Sequence, residues 1–190
     1  AGSGTLTTST YSLGGGTVLA NLGSGTVNLT NSTTLGGTSG ASAVNLNSGT
    51  LTLTNANALS SAAAVTGSAG ATLSLGGNQT IGSLSGSSAV ALGANTLSVG
   101  GLNTSTTYSG TIGGTGGLTK TGNGQFTLSG SQTYGGATTV SGGTLALGAA
   151  NVLSGSTAVA INGGVVNLQT FSNSVGGFSI TSGSLAGSGT

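Results

Sequence analysis

One short phrase returns along the whole chain: a small or turn residue, a small polar residue, an aliphatic, a polar residue, an aliphatic. It reads GTVNL at 25–29, GTLTL at 49–53, ATLSL at 71–75, NTLSV at 95–99, GQFTL at 124–128, GTLAL at 143–147, GVVNL at 164–168 and GSLAG at 183–187. Alternation with a period of two over such a stretch predicts strands with one buried face, not helices. The first aliphatic of each phrase, Val27, Leu51, Leu73, Leu97, Phe126, Leu145, Val166 and Leu185, recurs at steps of 24, 22, 24, 29, 19, 21 and 19 residues. A loose period of this size is that of a coiled β-solenoid, in which each turn supplies two or three short strands.

The expectation is therefore an all-β fold, a parallel β-helix (β-solenoid) of about eight turns of roughly 19–24 residues, occupying 1–190 as a single module. Stacked at the spacing of hydrogen-bonded strands, about 4.8 Å, eight turns make a rod on the order of 40 Å long. The markers form one inward column, with Leu29, Leu53, Leu75, Val99, Leu128, Leu147 and Leu168 as its neighbour. No single turn can bury its own apolar face, so the core exists only through stacking. Three eleven-residue stretches, AVNLNSGTLTL at 43–53, AVALGANTLSV at 89–99 and AVAINGGVVNL at 158–168, align without a gap as two strands and a corner. Corners that need positive φ favour Gly and Asn, which accounts for much of a glycine content of 41 residues.

Composition removes most chemistry. Lys120 is the only charged side chain, and there is no Asp, Glu, His, Cys, Met, Trp or Pro. Without imidazole, carboxylate or thiol, the many hydroxyls have no ordinary general base, so no enzyme activity and no catalytic residue is expected. A hydroxyl–lysine pair among Thr119, Lys120 and Thr121 is the one dyad this inventory permits; its alternative is a solvated turn lysine. Metal sites lack their usual His, Cys or carboxylate ligands, and no cofactor is expected. A single lysine cannot supply the phosphate neutralisation that nucleic-acid binding needs. No apolar run reaches the length of a membrane span, no signal peptide is present, and the missing initiating Met marks a processed form or a part of a longer protein.

From about Leu73 the wording becomes more specific. LSLGGNQTIGSLSG at 73–86 and GLNTSTTYSGTIGGTGGLTKTGNGQFTLSGSQTYGGATTVSGGTLALG at 101–148 resemble the autotransporter-associated β-strand repeat of type V secreted passenger regions. The stretch 114–148 resembles that repeat along its whole length, with Lys120 in the LTKTG segment where the repeat has a lysine. The resemblance implies a right-handed parallel β-helix exported to the surface of a Gram-negative type bacterium. It further implies a long repetitive protein in which passengers precede a C-terminal membrane barrel, a segment this sequence does not show.

Three functional readings remain. The first is a structural module of an extracellular surface fibre, sheath or stalk, whose partner is itself, end to end and laterally. With a formal net charge of +1 the chain does not repel its own copies, and the open strand edges of a β-helix template further pairing. The second is a passenger adhesin that binds a surface or glycan ligand; here Tyr11, Tyr108, Tyr134, Phe126, Phe171 and Phe178 read either as a carbohydrate platform or as corner and core fillers. The third is ice binding, suggested by the outward positions Thr26, Thr50, Thr72, Thr96, Gln125, Thr144, Val165 and Ser184, against ordinary strand-surface threonines. Sequons fall at Asn28, Asn31, Asn78 and Asn103. Finally, AGSGT opens the chain at 1–5 and closes it at 186–190, which reads as the seam of a longer tandem repeat.

Overall fold

Strands, most of them two to four residues long and apolar on the inward side, coil into ten parallel turns. The structure is a computed structural model and describes residues 4–188. Each turn visits three faces in order. Face A carries Thr5–Leu6, Asn21–Leu22, single bridges at Ser39 and Leu59, then Gln79–Ile81, Leu97–Val99, Leu118–Lys120 and Thr138–Val140. Face B carries Thr10–Leu13, Thr26–Leu29, Ala43–Leu46, Ala64–Gly67, Ser83–Gly86, Thr106–Tyr108, Gln125–Leu128 and Thr144–Leu147. Two long strands, Ala158–Asn167 and Gly177–Ala186, pass from A to B without a break, with a register shift at Asn162. Face C carries Gly16–Val18, Thr33–Leu35, Thr50–Leu53, Thr72–Leu75, Ala89–Ala91 and Ile112–Gly113. Beyond Ile112–Gly113 this face is tied by separate bonds such as Thr133 N to Ile112 O (2.9 Å) and Gln132 N to Val152 O (2.7 Å).

The all-β solenoid expected from alternation is therefore the fold, but its turns number ten rather than eight. The reason lies in the marker column. On face B the register runs Tyr11, Val27, Val44, Val65, Leu84, and again Thr106, Phe126, Leu145, Val166, Leu185. Leu51 and Leu73 pair with each other on face C, and Leu97 belongs to face A, opposite Leu118. The supposed single column was spliced from three. Each long step, from Val27 to Leu51, Leu73 to Leu97 and Leu97 to Phe126, is one turn plus one extra face, so three such steps hide a full turn. The turn that holds Tyr11 lies before the first marker.

The three aligned eleven-residue stretches show why faces are easy to confuse. They occupy three different corners: 43–53 runs from B to C, 89–99 from C to A and 158–168 from A to B. The positive-φ glycine is the seventh residue in the first (Gly49, φ 75°), the fifth in the second (Gly93, φ 60°) and the sixth in the third (Gly163, φ 133°). At Gly49 the requirement is steric as well as torsional, because a Cβ there would lie 2.5 Å from the backbone of Asn31 and Ser32 in the turn before. Inside the coil Leu29, Leu46, Leu51, Leu73, Leu97, Leu118, Leu128 and Leu145 are fully buried, and they belong to one continuous hydrophobic cluster. The seam suggested by AGSGT falls largely on residues 1–3 and 189–190, which lie outside the described residues.

Candidate functional site

The strand Leu118–Lys120 has Leu118 and Lys120 buried on its inward side and Thr119 on its outward side. Lys120 stands in a core column between Val99 and Val140 and is 1% exposed. It is not the solvated turn lysine of the sequence reading. Its stem takes the place of an aliphatic, and its ammonium reaches the A-to-B corner, where it donates to the carbonyls of Thr121, Gly122 (3.0 Å) and Gly142 (3.2 Å). Since Gly142 belongs to the following turn, the ammonium ties two corners together. Burial, with no counter-charge in the sequence, pushes its pKa below the ordinary lysine value. The hydroxyl–lysine pair does not form: the Thr121 hydroxyl donates instead to Val99 O at 3.3 Å, and Thr119 belongs to the outward side.

Two glutamines do similar work without charge, and sequence reasoning missed both. Gln132 Nε2 donates to Gly130 O (2.6 Å) and Gly110 O (3.1 Å), while its Oε1 accepts from Ile112 N (2.8 Å). Gln79 Nε2 donates to Asn55 O (2.6 Å) and its Oε1 accepts from Leu59 N (3.3 Å). Each amide stands in for a missing strand pair between consecutive turns. The signal was present in the repeated phrase Gln-Thr at 79–80 and 132–133, preceded in both cases by a small or amide corner residue.

The aromatics fill corners and core. Tyr108 donates its hydroxyl to Ser88 O and leans on Phe126, ring centroids 6.4 Å apart. Tyr134 exchanges a 2.6 Å hydrogen bond with the Thr138 hydroxyl, and Tyr11 donates to Leu6 O at 2.8 Å. Burial pushes the phenols of Tyr108 and Tyr134 up to about 12. Phe171 and Phe178 lie at the C-terminal end of the coil. The six rings thus make no shared platform.

The threonines proposed as an ice-binding rank are divided too. Thr26 pairs with Thr10 on face B, Thr50 with Thr72 on face C, and Thr96 precedes a face A strand. The sequon asparagines are already engaged through their side-chain oxygens. Asn28 accepts from Asn45, Asn78 from Thr96 N and Asn103 from Asn123 N, all at 2.8 Å, while Asn31 accepts from Ser32 N.

One shallow groove interrupts face A. Between the bonds Asn57 N to Asn78 O and Gly82 N to Ala63 O, five residues (58–62) stand opposite three (Gln79–Ile81). The longer segment bulges, leaving a depression of about 530 Å³ lined by Thr38, Ser39, Asn57, Ser60, Ser61 and Thr80. Leu59 and Gly40 complete the lining, so the walls mix hydroxyls and one amide with apolar surface and hold no ionisable group.

Against known proteins, no curated protein and no solved structure matches the chain. Residues 118–147 match the family model of the passenger-associated-transport-repeat. That segment begins on the strand of Lys120, contains Gln132, Tyr134 and Gly142, and ends on the face B strand Thr144–Leu147. It lies within the stretch 114–148 singled out from sequence. Over those residues, which span more than one turn of the parallel β-solenoid, the chain is similar to a passenger-associated-transport-repeat, in line with the resemblance read from the sequence.

Proposed function

We propose that this chain is a structural, non-enzymatic module of an extracellular bacterial surface fibre, sheath or stalk, and that it self-associates through uncharged solenoid surfaces. One observation carries the reading. A core and a hydrogen-bond framework run through ten turns, while the outward side of the described strands is built from neutral Thr, Ser, Asn, Gln, Ala, Val and Gly residues. The sole charged side chain is turned inward, so nothing on the surface opposes lateral contact between copies. The passenger repeat at 118–147 supports secretion or display at the cell surface. Electron microscopy of the purified protein tests the reading: polymers of constant diameter are expected, and a monodisperse monomer with saturable binding to a glycan or cell surface would overturn it.

The groove on face A favours a second reading, an adhesin. Its neutral wall, with hydroxyls and the Asn57 amide beside Leu59, suits an uncharged saccharide better than an ionic ligand. Glycan-array binding abolished by Ser60→Trp, with filament formation unchanged, would support that role alongside the structural one.

A further inference from the structure

Asparagine followed by glycine carries a reaction that needs no catalytic group. The asparagine Cγ is within reach of the next residue's backbone nitrogen, and a glycine there puts no Cβ in the way. The sequence has this pair twice, Asn123–Gly124 and Asn162–Gly163, each in a corner between faces A and B.

The fold treats the two pairs differently. Asn123 N–H donates to Asn103 Oδ1 in the turn before (2.8 Å), and Gly124 O accepts from Thr144 N in the turn after (3.3 Å). Gly124 is buried, and a Cβ there would lie 2.3 Å from Thr104 O. Bringing the Gly124 nitrogen onto Asn123 Cγ requires rotation about the intervening backbone bond, which both neighbouring turns oppose. Asn162 and Gly163, in contrast, are both exposed. Pairing with the preceding turn stops at Ile161 and resumes at Val165, so 162–164 stand outside those ladders. Pairing with the following turn slips on each side of Asn162, which meets Ser182 alone. Such a bulge loosens the ladder locally, and Gly163 within it has a φ of 133°. Among the described residues no hydrogen bond engages the Asn162 side-chain amide, whereas the oxygens of Asn78 and Asn103 are held by backbone N–H groups.

From this placement we infer that Asn162 is a site of spontaneous succinimide formation, and that the fold protects Asn123 from the same reaction. The Gly163 nitrogen bonds to Asn162 Cγ as the Cγ–Nδ2 bond breaks, and the nitrogen's proton departs on ammonia. Water then opens the five-membered imide. Breaking the bond between the Gly163 nitrogen and Cγ gives aspartate; breaking the bond to the Asn162 backbone carbonyl carbon gives isoaspartate, with the chain rerouted through the former side chain. Neither step exchanges electrons. Both products put a carboxylate at an exposed corner of a chain that has no Asp or Glu, and the formal net charge falls from +1 to zero.

Peptide mapping of the 190-residue chain after storage in mildly alkaline buffer tests the inference, with pepsin digestion in acid, mass spectrometry and enzymatic isoaspartate labelling. In the folded chain Asn162 is expected to convert about tenfold faster than Asn123, whose segment must first release two hydrogen bonds. In the chain unfolded in urea the two sites should convert at similar rates. Asn162→Gln, an exposed substitution whose fold is checked by far-ultraviolet circular dichroism, should lose the fast phase of isoaspartate formation. Equal rates at the two sites in the folded chain, or faster conversion at Asn123, would overturn the inference. So would a folded chain intact at Asn162 while the unfolded one converts, or a fast phase that survives in Asn162→Gln.

Discussion

Raising the pH should unfold this protein, whereas lowering it should not. The chain has no Asp, Glu or His, so the carboxylate and imidazole titrations that ordinarily drive acid unfolding are absent from its side chains. On the alkaline side Tyr108 and Tyr134 hold their protons up to about 12 in the folded state, against an ordinary value of 10.0. Between those limits the unfolded chain releases phenolic protons that the folded chain keeps. The unfolded state then binds fewer protons, and stability falls as pH rises. At about 1.4 kcal/mol per unit of pKa shift, two phenols displaced by about two units remove roughly 5 kcal/mol by pH 12. That is a large part of the 5–15 kcal/mol typical of a folded domain. Lys120 acts in the opposite sense at lower pH. With its folded pKa depressed below 10.5, the unfolded chain binds the extra proton in that window, so stability climbs before the tyrosine limb begins. Urea midpoints measured from pH 3 to 12 should therefore be flat in acid, rise on approaching pH 10 and drop steeply above it. In the Tyr108→Phe, Tyr134→Phe double variant the steep limb should disappear, whatever that variant's stability at neutral pH. An acid limb as deep as the alkaline one, or an alkaline limb unchanged in the double variant, would refute the reasoning.

Two substitutions separate satisfied from unsatisfied buried polar groups. Ser88 is fully buried and its hydroxyl has no hydrogen-bond partner, while its carbonyl accepts from Tyr108. Ser88→Ala therefore removes an unpaired hydroxyl and keeps the backbone contact, and a gain of about 1 kcal/mol in urea unfolding is expected. Gln132→Leu deletes three hydrogen bonds and leaves Ile112 N–H and Gly110 C=O buried without partners. A loss of about 3 kcal/mol is expected, with hydrogen exchange at the Ile112 amide accelerated more than at amides of distant turns.

What the sequence disclosed, and what it concealed, follow from one physical property. A strand with one buried face announces its parity in every pair of residues, so the all-β class, the stacked core and the inward role of Leu29 or Leu145 were all legible. Parity says nothing about which of three faces a strand occupies, because all three bury aliphatics against the same core. Leu51, Leu97 and Phe126 are interchangeable by pattern and belong to C, A and B. Only corner geometry separates the faces, and the seventh-, fifth- and sixth-position glycines of the three aligned stretches differ too little to be read without coordinates.

Lys120 shows parity outweighing charge. Composition argued that a lone lysine belongs in water, since an unpaired buried ammonium is costly. The strand Leu118–Lys120 instead turns Leu118 in, Thr119 out and the Lys120 stem in, a parity that the reading of Lys120 as a turn residue had passed over. The conflict is resolved at a corner, where the chain turns its carbonyls toward the end of that side chain. Carbonyls of Thr121, Gly122 and Gly142 replace the lost water, two supplied by the lysine's own corner and one by the next. Gln132 applies the same principle with a neutral amide on another corner of the matched repeat. In a solenoid whose side chains carry almost no charge, neighbouring turns are held at their corners by long polar side chains aimed at backbone. The repeat therefore specifies the join between turns as well as the strands themselves.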